Sequence, residues 1–250
     1  MARRALELLY MDLWDALRAP AFDVMMLIVG VLSGALIVMA PVSSALGALS
    51  PNNFFNPVMI SVAVATIYMA LRSASELVDM IQGGVLQVYM AYPVSRRTVA
   101  WTLYLTRSLI PAVILIGLPA LVAAIVLYPV VLRSPLDFLL MWLSYLVQSQ
   151  LYGTAFLLLA TRLRTSGMAI VASISFYFGY VALSFFLDLV GYLDSITVLT
   201  QVSNSMGFYY VVYDMLTSGA PAWEAAVVPS LFIGLLAAYV TYVARRFEPT

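Results

Sequence analysis

The chain has no histidine, no cysteine and no lysine; all 12 of its basic residues are arginine. Each absence removes chemistry. Without lysine there is no Schiff base to retinal or pyridoxal, and no phosphate-gripping lysine of a Walker-type loop. Without histidine and cysteine the usual ligands of haem, iron–sulfur clusters and structural zinc are missing. The catalytic thiol and imidazole are missing too. Charge of either sign is scarce: 10% of the 250 residues are charged, with acidic and basic residues equal in number, where a soluble domain carries roughly 25%. A balanced charge gives no electrostatic footprint for nucleic acid.

What fills the chain instead is apolar: 64% of its residues are hydrophobic. A water-soluble fold of this length cannot hide so much apolar side chain, so lipid must be the solvent for most of it. A helix crosses hydrocarbon with about 20 apolar residues, and the uncharged stretches predict six spans, over 24–40, 54–71, 108–131, 138–160, 167–187 and 225–244. Pro51-Asn52-Asn53 marks the turn between the first two. A further uncharged stretch, 195–213, carries Thr197, Thr200, Gln201, Ser203, Asn204 and Ser205. Those groups are costly in hydrocarbon without partners. With Phe208, Tyr209, Tyr210 and Tyr213 at headgroup level, it reads as an interfacial or re-entrant outer hairpin within 191–224.

Arginine placement sets the expected topology. With both termini cytoplasmic, only Arg133 of the 12 arginines lies outside, which satisfies the positive-inside bias. Ahead of the first span, Leu6, Leu9, Tyr10, Leu13 and Leu17 recur at helical spacing, with Arg4, Asp15 and Arg18 opposite. That pattern predicts an amphipathic helix in the inner interface. The expected fold is an all-α, multi-pass protein of the cell membrane, one transmembrane domain over 1–250.

The longest expected inner loop, 72–98, is the most informative segment. Ser73-Ala74-Ser75-Glu76 has capping-box spacing and predicts a helix start. Gly83-Gly84 interrupts that helix, Val85 to Tyr92 reads as a second short one, and Pro93 stops it. The run from Gly84 through Pro93-Val94-Ser95-Arg96-Arg97 resembles the loop between spans two and three of type 2 ABC exporter permeases. The shared order extends along the chain: entry helix, six spans, outer hairpin, and a basic-aromatic end at Arg245-Arg246-Phe247. Two departures stand out, Gln87 where the family often has an acid and Leu103 then Arg107 where it often has a lysine.

The resemblance implies that the chain is not itself an enzyme. It would have no catalytic, cofactor or metal residues, and would move substrate by alternating access. ATP and Mg would be bound by two separate cytoplasmic ATPase subunits. A second permease subunit, identical or homologous, would complete the complex within membrane lipid. It also implies that Glu76, Asp79, Gly83, Gly84, Leu86 and Pro93 lie in or beside an ATPase-coupling helix, and that spans one and five meet at a two-fold interface.

Within the spans, Gly30 and Gly34 have the four-residue spacing that permits close helix contact, making them candidate dimer contacts. Ser173, Tyr177, Tyr180, Ser184 and Asp188 form a polar stripe along span five, a candidate substrate path. Tyr145, Gln148, Ser149 and Tyr152 form a second polar cluster in span four. Asp23, Arg107 and Asp188 sit near span ends, where a charge either snorkels to the interface or serves as a gate. Two other classes fit less well. A membrane-embedded enzyme would rest on Asp, Glu, Arg, Ser and Tyr alone, and a non-ATP-driven secondary transporter would be expected to show an inverted repeat. Lipid, drug, peptide and glycan substrates all fit.

Overall fold

The computed structural model describes residues 2–17, 20–44, 51–91, 93–126, 128–218 and 223–246. Every element among them is helical: α1 (Ala2–Leu17), α2 (Pro20–Ser44), α3 (Pro51–Tyr68), α4 (Ala74–Gln82), α5 (Val85–Ala91), α6 (Arg96–Tyr104), α7 (Ile110–Val126), α8 (Tyr128–Arg133), α9 (Pro135–Ala160), α10 (Ser166–Leu193), α11 (Thr197–Met206), α12 (Phe208–Ser218) and α13 (Val227–Arg246). Among the described residues, four helical stretches are long and apolar enough to cross a membrane: Ile60–Gln82, Arg96–Ile125, Ser166–Leu193 and Trp223–Arg245. By length and composition the chain is therefore an all-helical membrane protein.

Two of these stretches are composite. A π-helical turn, Met69–Ser73, joins α3 to α4 without a break, and another, Leu105–Leu109, joins α6 to α7. The helix expected as span two thus runs on to Gln82, through the first part of the segment expected as loop. Ser73 accordingly caps nothing: its backbone is helical and its side chain makes no capping bond. The capping-box spacing was matched by chance, because the residues ahead of it already form a helix. The Gly83-Gly84 break does fall where the glycines predict. Gly84 adopts φ +73°, a left-handed conformation that glycine takes without steric cost, and α5 follows immediately. Polar N-caps start the next helices in the same way. Ser95 accepts from the Thr98 N–H at 3.1 Å to open α6, and Thr165 from the Met168 N–H at 3.3 Å to open α10.

The 26-residue α9 is the hub, packed against α3, α4, α7, α10, α12 and α13. Its residues 148–157 are all buried. Helix α10 lies outside it, showing Val171, Phe178, Phe185 and Phe186 outward, and α11 folds back along α10. Helix α1 departs from its expected pattern. The face that packs on the bundle is Leu8, Asp12 and Ala16, whereas Leu6, Tyr10 and Trp14 of the apolar side point away. The helix has two apolar faces, one for protein and one left for lipid, so periodicity alone does not tell them apart.

The two ends of the bundle differ in charge. Arg162 and Arg164 sit in the turn between α9 and α10, and the Arg162 guanidinium stacks 4.3 Å from the Tyr242 ring near the end of α13. From Thr165 to Ala244 there is no basic residue, yet Asp188, Asp194, Asp214 and Glu224 fall within that stretch. At least three of these carboxylates gather at the far end of α10.

Candidate functional site

The first site is a buried charge cluster built on the two π-helical turns. A π turn inserts one extra residue and rotates the side chains that follow, and such turns recur at functional sites. Here they carry Arg72 and Arg107. Arg107 is only 3% exposed and Asp12, on α1, is fully buried. The Arg107 Nη2 donates to Asp12 Oδ1 at 2.7 Å, and Nη1 pairs with Glu76 of α4. Glu76 also pairs with Arg72, one helical turn earlier. The Thr106 hydroxyl donates to the other Asp12 oxygen, and the Tyr89 hydroxyl of α5 reaches Asp12 Oδ1 at 3.4 Å.

Two carboxylates and two guanidiniums balance, which is the condition for burying them at all. The planar fork of an arginine can serve two carboxylates at once, where a lysine offers a single point charge. The cluster ties together α1, α4, α5 and both π turns, five pieces of chain. Immediately beyond it the Ser108 hydroxyl donates to Gln150 Oε1 of α9 at 3.0 Å.

The second site is a cavity of about 680 Å³ between α9, α10, α11 and α12. The polar residues of α9 and α10 border it together, but their hydrogen bonds run elsewhere: those of α10 go to α11, and Gln148 of α9 bonds within its own helix and to α12. Tyr180 Oη donates to the Met206 carbonyl at 2.7 Å, and Ser203 Oγ to the Ser184 carbonyl at 2.7 Å. Gln148 bridges the elements, donating to Tyr152 Oη and accepting from the Phe208 N–H, both at 2.9 Å. Rings of Tyr177 and Tyr180 stand edge-on to Tyr152, at 5.2 and 5.4 Å between centroids. Tyr145 and Tyr209 stack at 5.2 Å. Burial pushes the Tyr209 phenol above its ordinary value.

The residues singled out in the sequence scatter. Tyr180, Ser184 and Asp188 line the cavity; Tyr177 backs it through Tyr152. Ser173 is fully buried, its hydroxyl without a hydrogen-bond partner among the described residues. Glu76 turns into the charge cluster, while Asp79, one turn on, is exposed. Leu86 is fully buried and Pro93 exposed. Among the described residues, a Cβ added at Gly30 or Gly34 would meet nothing within 4 Å. Arg107 does not snorkel; it is buried and paired. Asp12, Arg72, Thr106 and Gln150 were not apparent from the sequence as site residues. No protein-family model matches this chain, and no curated protein matches it.

Proposed function

We propose that this chain is the transmembrane permease half of an ATP-driven type 2 ABC exporter, with six crossings: α2, α3 to α4, α6 to α7, α9, α10 and α13. The observation that carries the reading is the α4–Gly83-Gly84–α5 corner. The helix of the Ile60–Gln82 stretch ends in a sharp turn at Gly84 and is anchored by Glu76 to Arg107, and through it to Asp12 of the entry helix. A rigid lever fixed to three elements of the bundle is suited to receive a push from a docked ATPase. The α9–α10–α11–α12 cavity supplies a place for substrate.

Purification from native membranes in mild detergent should recover an ATP-hydrolysing partner at two copies per two permeases. A native complex without an ATPase, or sustained ATP turnover by the isolated chain, would overturn the assignment. The loop's part in coupling has a separate test in Asp79→Arg. Asp79 is exposed, so stability should change by no more than about 0.5 kcal/mol. A mispaired interfacial charge costs more than that, so retention of the ATPase should fall by roughly tenfold or more. Equal retention by wild type and variant, at equal membrane abundance, removes the loop from the docking surface.

The two-fold interface has its own measurement. Helix α2 turns Val24, Leu27 and Val31 outward with Gly30 beside them, and α10 turns out Phe178 and Phe185. Single cysteines at Gly30 or Phe178 are the only thiols in the chain. Each is expected to cross-link to its counterpart in a second copy, while a cysteine at Leu121 on α7 should not. The reverse pattern would place the contact elsewhere.

A further inference from the structure

We infer that the cavity between α9, α10, α11 and α12 binds an amphiphilic organic cation, an apolar or aromatic body bearing one positive charge. The inference rests on the permease reading for its place in transport and on the cavity alone for its chemistry. Size comes first: about 680 Å³ falls within the range of small-molecule pockets, roughly 300–1,000 Å³. The walls come second. Tyr152, Tyr180 and Tyr209 present aromatic surface whose orientation is already fixed, by Gln148 at the Tyr152 hydroxyl, by the Met206 carbonyl at Tyr180, and by stacking on Tyr145 for Tyr209. A ring face attracts a cation and not an anion. Rings held in place before binding lose little freedom when a ligand arrives.

Charge decides the sign of the ligand. Asp188, Asp214 and Glu224 all border the cavity, and no arginine does. None of the three forms an ion pair with another described residue. The sequence supplies no basic residue between Thr165 and Ala244 to neutralise them. Asp188 and Asp214 are exposed and Glu224 is half-buried, whereas the inward-turned Asp12 and Glu76 are matched by Arg72 and Arg107. An aromatic-walled pocket with unmatched carboxylates at its rim is complementary to a cation with an apolar body. A neutral lipid would leave the carboxylates unused, and an anion would be repelled.

The test uses the full chain in nanodiscs of zwitterionic lipid, with tetraphenylphosphonium as the probe and tetraphenylborate as its anionic counterpart of the same shape. Saturable binding of the cation alone is expected. The joint change Asp188→Asn, Asp214→Asn, Glu224→Gln should weaken it at least tenfold. Asp137→Asn, in the first turn of α9 and outside the cavity lining, should leave it unchanged. Equal saturable binding of the two probes, or wild-type affinity in the triple variant, overturns the site. Binding requires no partner subunit, so such a failure leaves the permease assignment to the purification experiment above.

Discussion

Replacing Arg107 with leucine is expected to cost on the order of 3–5 kcal/mol, the range for breaking a buried ion pair from one side. Both Asp12 and Glu76 lose their shared partner, Asp12 while fully buried and Glu76 while half-buried. Only Arg72 would be left to face them, and it already serves Glu76. Thermal unfolding in a fixed detergent measures the loss. Arg107→Lys should be intermediate, because one ammonium cannot make two separate bonds with the geometry of the guanidinium fork.

Adding Asp12→Asn to Arg107→Leu should recover part of the lost stability, since the uncompensated charge is what makes the single change so costly. Thr106 would keep an acceptor in the amide oxygen. The two changes must therefore be non-additive, as expected for residues in one network. Strict additivity, or a loss below about 1 kcal/mol for Arg107→Leu, would mean the four charges are not coupled as their geometry implies. The Asp79→Arg chain is the internal comparison, a charge reversal one turn from Glu76 at an exposed position with little expected effect on unfolding.

The contrast between Glu76 and Asp79 also marks what the sequence makes legible. Both are acids in a stretch with few other charges, and either suits a solvated loop. What separates them is the helix of span two continuing through a π turn, which puts Glu76 toward Arg107, 31 residues away, and leaves Asp79 outside. Asp12 and Arg107 are 95 residues apart, and nothing local in either segment points to the other. Composition and run length do carry the coarse fold, because a helix in lipid must be apolar over a fixed length. Glycine carries the Gly84 corner, because it needs a positive φ. Side-chain clusters formed by distant helices have no such local signature. In span five the polar stripe was visible as a stripe; that it closes on α11 through Ser203 and Met206 was not.

The largest expected packing effect lies at Gly153, where α9 crosses both π turns. A Cβ there would stand 2.6 Å from the Met69 sulfur and run into the Ser108 hydroxyl. Neither neighbour has room to yield: Met69 is 1% exposed, and Ser108 is fully buried and bonded to Gln150 at 3.0 Å. Gly153→Ala should therefore cost about 1–3 kcal/mol through overpacking. If the Ser108 hydroxyl is forced off Gln150, a buried amide loses its partner at a further ~1–3 kcal/mol. Gly153→Val adds two more carbons to the same crossing and is expected to leave little folded protein at the growth temperature. Met69→Ala combined with Gly153→Ala should return part of the lost stability, because it removes the Met69 sulfur and methyl, leaving the Ser108 hydroxyl as the remaining obstruction. Gly234→Ala on α13 is the counter-case: no described atom lies within 4 Å of the added methyl, and the helix should gain up to about 1 kcal/mol. A Gly153→Ala protein with an unfolding temperature equal to wild type, or no rescue by Met69→Ala, would show that α9 does not approach the π turns this closely.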